Sequence, residues 1–86
     1  MERLRQEGWF CFKIHGSEHM MAGLPDIVVC ADGFFIGLET KRPETRDDVS
    51  PIQNLRHAQI RQSAGFVAVV CSVNEALETV KTYLAS

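Results

Sequence analysis

The chain has 86 residues, 45% of them apolar and 23% charged, with a formal net charge of −2. That length makes one domain with a modest core, and the composition is that of an ordinary soluble globular protein. No stretch is long and apolar enough to cross a membrane. The start Met1-Glu2-Arg3-Leu4-Arg5 leads into no apolar signal-peptide core. The charge offers no whole-molecule attraction to nucleic acid, so any such contact falls to local patches.

In chain order, residues 2–7 read as the tail of a helix closed by Gly8. Trp9 to His15 is aromatic-rich and partly alternating, a strand, with Trp9 and Phe10 expected in the core. His15 to Gly23 is a loop. Two apolar runs, 26–31 and 34–41, flank Asp32-Gly33, the strongest short-range hairpin signal. Both runs are apolar on both faces, so these strands are central rather than edge. Arg42 to Asp48 is polar, contains Pro43 and reads as a mobile loop. Ser50-Pro51-Ile52-Gln53 opens a helix with an N-cap, a proline at its first position and a capping box. Its expected buried stripe is Ile52, Leu55, Ile60 and Ala64, and Gly65 ends it. Phe66 to Cys71 is a further buried strand. Ser72-Val73-Asn74-Glu75 is a second capping box, and the helix after it buries Leu77, Val80 and Leu84. The order is α-β-β-β-α-β-α, an α/β domain with a mixed central sheet flanked by helices. Cys11, Cys30 and Cys71 are odd in number, far apart and within strand segments. Buried, reduced thiols of a reducing compartment are expected rather than a zinc ribbon.

The chemistry gathers at the hairpin. A two-residue turn with Ala31 opposite Phe34 carries the register on to Asp26 opposite Glu39. Directly opposed residues share a face with Cβ atoms roughly 5 Å apart, and Lys41, two residues beyond Glu39, shares that face too. Two carboxylates and an ammonium would converge on one patch. Taken singly, Glu39 and Lys41 are ordinary surface residues. A carboxylate at the end of a central strand, however, needs a partner or a purpose. Two acids that close repel unless a cation lies between them, as in a divalent-metal site with an adjacent lysine.

Gly23-Leu24-Pro25-Asp26, Glu39-Thr40-Lys41 and Ser50-Pro51-Ile52-Gln53, in this order of elements, resemble the virus-type replication-repair nuclease (VRR-Nuc) domain of the PD-(D/E)XK nuclease superfamily. The resemblance covers nearly the whole chain, residues 1–86, and implies a restriction-endonuclease-like core. It implies metal-dependent phosphodiester hydrolysis in which Asp26 and Glu39 hold Mg²⁺ or Mn²⁺ with the backbone carbonyl of Thr40. Lys41 would orient or activate the attacking water, and Gln53 would lie near the metal, with helix capping as its alternative role. The family's first-helix acidic ligand is matched here only weakly, by Glu2.

Arg42 and Arg46, then His15 and Lys13, are the candidate nucleic-acid contacts. Otherwise they are solvated side chains, as are Arg56 and Arg61. His15-x-x-x-His19 has a metal-like spacing but no further ligand nearby. Small stand-alone members of the family resemble phage proteins. They act inside the cell as homodimers on branched DNA such as Holliday junctions, which would place this chain in the cytoplasm. Three functional readings follow: a structure-selective DNA endonuclease involved in repair, a sequence-independent nuclease, and a non-catalytic nucleic-acid-binding module with a nuclease fold. A role without nucleic acid would predict no metal binding.

Overall fold

The computed structural model describes residues 1–16 and 20–86. The loop reading for residues 17–19, and the pairing of His15 with His19, lie outside the described residues. The elements are α1 (Glu2–Arg5), β1 (Phe10–Lys13), β2 (Ile27–Ala31), β3 (Phe34–Thr40), a short 3₁₀ turn (Pro43–Thr45), α2 (Pro51–Gln62), β4 (Phe66–Val70) and α3 (Val73–Ala85). They form a four-stranded mixed sheet in the order β1-β2-β3-β4. The first two pairings are antiparallel, and β3 pairs β4 in parallel through α2. β2 and β3 are the central strands, as their apolar runs predict.

The hairpin register is the one the turn chemistry dictates. Ala31 faces Phe34 and Ile27 faces Leu38. Asp32 and Gly33 both have positive φ, 53° and 83°, the conformation that a two-residue turn between twisted strands requires.

The two faces of the sheet differ. On one, Val29, Ala31, Ile36, Leu38 and Val70 pack with Leu4 of α1 and Ala76, Leu77 and Val80 of α3. Tyr83 closes this layer by stacking on Phe66, with ring centroids 4.2 Å apart. Leu77 and Val80 are buried as their helical spacing predicts, while Leu84 is only half-buried. The other face carries α2 over β3 and β4, and nothing described covers β1.

Three expectations about burial are corrected by this arrangement. Ile52 and Leu55 lie 38% and 48% exposed, and Ala64 is also exposed. The one fully buried side chain of α2 is His57. The helix turns Gln53 and His57 toward the sheet, so its apolar residues flank the contact instead of making it. Phe10 is 70% exposed, because it lies on the β1 end of the α2 face, which α2 does not reach, while Trp9 packs half-buried against the core. Of the cysteines only Cys11 is buried; Cys30 is exposed on that same uncovered face, and Cys71 lies just beyond β4.

α2 ends in a Schellman arrangement, with Gly65 N–H donating to the Ile60 carbonyl at 2.9 Å and Ala64 N–H to that of Arg61 at 3.0 Å. The left-handed residue is Ala64, at φ 69°, and not the expected Gly65. Gly65 is required for space, since a Cβ there would stand 2.6 Å from Ile60 Cγ2.

A carboxylate pair held by the second helix

The loop entering β2 is shaped by three of its four motif residues. Gly23 has φ +82°, and a Cβ on it would lie 2.7 Å from the Ile52 carbonyl oxygen, so the loop presses directly onto the start of α2. Pro25 is fully buried. It rests on Gly37, where a Cβ would meet the proline ring at 2.7 Å. Glycine at both contact points lets Asp26 settle against the end of β3.

There Asp26 Oδ2 accepts from the Thr40 N–H at 2.9 Å and from the Thr40 hydroxyl at 2.7 Å. Asp26 thereby uses its side chain to continue the strand pairing beyond Ile27. This holding role for Thr40 was not visible in the sequence, which marked only its carbonyl. Glu39, on the same face, is 2% exposed. Burial pushes its carboxyl up to about 7, reinforced by the charge of Asp26, while Lys41 pulls the other way. The two acids are therefore brought together as the register predicts, and burial favours the protonated form of Glu39.

Gln53 ties the site to α2 and serves both of its expected roles. Its Oε1 accepts from the Ser50 N–H at 3.0 Å and its N–H donates to Ser50 Oγ at 3.2 Å, which is the capping box. With Oε1 committed to a donor, the amide NH₂ is directed outward, and it donates to Glu39 Oε1 at 3.0 Å. Lys41 Nζ approaches Gln53 Oε1 at 3.5 Å. Its backbone N–H bonds the Val70 carbonyl at 3.0 Å, fixing Lys41 just past the strand end.

Among the described residues the remaining oxygen, Glu39 Oε2, has no hydrogen-bond partner, and neither does the buried Nε2 of His57, 3.9 Å away. This approach is not an ion pair. Glu39 is pushed toward its protonated form, and His57 is lowered from its ordinary value by burial, then by the charges of Arg61 and Lys41. His57 was not singled out in the sequence. The available signal was its spacing of four from Gln53, which puts both on one helix face.

The other expected residues lie outside this group. Glu2 is exposed in the first turn of α1, and among the described residues no three His, Cys, Asp or Glu side chains cluster as a ready metal site. Lys13 is exposed and paired with Ile27, which directs it to the sheet face opposite Asp26. His15 is exposed beyond β1. Arg46 is engaged with Glu75 Oε1 at 2.7 Å and with the Val69 carbonyl at 3.4 Å, which ties down the segment read as a mobile loop. Arg56 and Arg61 likewise bond the carbonyls of Ala22 and Val67, at 2.8 and 3.2 Å. Arg42 is exposed, with no described side-chain partner.

Asp26 and Glu39 are the residues that could hold a divalent cation. Asp26 lies near enough for its charge to act on Glu39, Glu39 Oε2 has no donor among the described residues, and Mg²⁺ needs only one or two carboxylates because it keeps several waters. In comparisons with protein-family models, curated proteins and solved structures, the chain matches none.

Proposed function

We propose that the chain is a metal-dependent endodeoxyribonuclease of the VRR-Nuc type. The observation that carries this reading is the convergence of Asp26, Glu39, Lys41 and Gln53 at the ends of β2 and β3, with the Glu39 carboxyl displaced to about 7 by burial and by Asp26. Such strain is released by a cation. Asp26 and Glu39 would hold Mg²⁺ or Mn²⁺, with the Thr40 carbonyl as a further oxygen donor. The metal would supply charge stabilisation for a phosphodiester under attack. Thr40 and Gln53 keep the two carboxylates in place, and Lys41 supplies a positive charge beside them to orient water or face a phosphate. Arg42 is the best remaining candidate for a phosphate contact, given that Arg46 is bound to Glu75.

The substrate proposed is branched DNA, cut by a homodimer, since a C2 pair supplies two symmetric sites. A surface for the second copy is the sheet face beyond α2, where Phe10, Cys30 and Phe35 form one row across three strands beside Phe12. Phe10, Phe12 and Phe35 are 70%, 44% and 46% exposed. At roughly 200 Å² per ring, they leave about 300 Å² of apolar surface, comparable to the largest patch of a typical monomer, which is often functional. Met21, 57% exposed and lining a cavity of about 450 Å³ with Phe35, extends it. That row lies four residues from Glu39, about 13 Å along β3, so a partner there does not cover the carboxylate pair.

A second reading, a nucleic-acid-binding module without catalysis, is favoured by the exposed position of Glu2 and the lack of a third clustered ligand among the described residues. The test is cleavage of a labelled four-way junction and a matched linear duplex, with Mg²⁺ or Mn²⁺ and with EDTA, by wild type, Asp26→Ala and Lys41→Ala. Metal-dependent cutting of the junction, lost in both variants, is expected. Equal cutting of the duplex would replace the branched-DNA reading with a general nuclease. Binding without cutting would favour the second reading.

A further inference from the structure

Two buried polar atoms, Glu39 Oε2 and His57 Nε2, have no hydrogen-bond partner among the described residues, and they face each other at 3.9 Å. A buried unsatisfied polar atom is costly, and native structures keep few of them. The gap is too long for a hydrogen bond. It is also awkward for a bridging water, which at about 2.8 Å from each atom would be bent to roughly 90°. A neutral imidazole has one N–H to donate, and the bond it makes decides which nitrogen carries that proton.

The geometry points to His57 as a positioning residue for Glu39, its Nε2–H donating to Oε2 while Gln53 Nε2–H donates to Oε1. Gln53 and His57 stand one helical turn apart on the same face of α2. The capping box fixes which end of the Gln53 amide faces the acid. The helix thus presents two donors to the two oxygens of one carboxylate. Held at both, Glu39 cannot rotate away from Asp26, and its ionised form gains a second donor. Resting on the reading of Asp26 and Glu39 as a cation site, this makes His57 a determinant of cation affinity that need not touch the cation. Partners at this distance from a metal typically change affinity 10–100-fold.

The experiment is titration of the full chain with Mn²⁺, following the free-ion signal by electron paramagnetic resonance, for wild type, His57→Leu and His57→Gln. Leucine keeps apolar bulk and removes the donor; glutamine restores an N–H donor. The expected result is about tenfold weaker Mn²⁺ binding in His57→Leu, with His57→Gln recovering most of it and circular dichroism unchanged. Equal affinity in His57→Leu and wild type would overturn the proposal, as would equal weakening in the two variants. A nitrogen hyperfine coupling on bound Mn²⁺, lost in His57→Leu, would also overturn it by placing the imidazole on the metal. If wild type binds no Mn²⁺, the cation reading fails separately. The His57–Glu39 contact is then decided by urea midpoints of His57→Leu, Glu39→Gln and the double variant at pH 8. Non-additive shifts support the contact and additive ones overturn it.

Discussion

Glu39 is the residue on which the site's energetics turn, and Glu39→Gln tests it. The variant keeps the shape of the side chain and the carbonyl that accepts from Gln53, and removes the ionisation. In the folded chain the carboxyl is pushed from 4.5 up to about 7. A carboxyl raised in this way binds its proton more tightly folded than unfolded. Its stabilising contribution is therefore complete below about pH 4.5 and is lost as pH rises through about 7. At roughly 1.4 kcal/mol per pH unit, the displacement amounts to at most about 3.5 kcal/mol, reduced where water reaches the acid. His57, whose pKa is lowered, acts in the opposite sense, losing stability as pH falls below its ordinary 6.5. The informative quantity is thus the difference between variant and wild type. Urea unfolding in EDTA, followed by the fluorescence of Trp9, the single tryptophan, measures it. Glu39→Gln should match wild type within about 0.5 kcal/mol near pH 4.5 and exceed it by about 2–3 kcal/mol at pH 8.5. A difference that does not change with pH, or a wild type more stable than the variant at pH 8.5, would refute the argument that Glu39 is buried against a second acid.

Three further outcomes are expected. Gly23→Ala combines a left-handed φ with a Cβ at 2.7 Å from the Ile52 carbonyl. It should cost about 2 kcal/mol or more in urea unfolding and displace Asp26 from Thr40. Ala64→Gly relieves the left-handed alanine at the end of α2 and should stabilise the fold by about 1 kcal/mol, read as a higher urea midpoint. Wild type should sediment as a dimer, and Phe10→Ser combined with Phe35→Ser as a monomer with an unchanged far-ultraviolet spectrum. A monomeric wild type at tens of micromolar would remove the sheet face as the proposed interface.

Much of the fold and the centre of the site were legible in the sequence because local rules settle them. Asp32-Gly33 admits few turns, the turn fixes the hairpin register, and the register brings Asp26 to Glu39 and leaves Lys41 beside them. Ser50, Pro51 and Gln53 specify a helix start whatever lies around it. Tertiary structure decided which face each element presents. The apolar spacing of α2 pointed to Ile52 and Leu55, yet the close approach of Gly23 and the bond from Gln53 to Glu39 turn His57 inward. Arg46 reads as a free cation until the fold brings Glu75, 29 residues away, within 2.7 Å. Phe10 reads as core until the sheet leaves its face uncovered. Turn chemistry, capping and strand register depend on neighbours in the chain and can be read along it. Burial, the protonation of Glu39 and the partner of His57 depend on groups that only packing brings together.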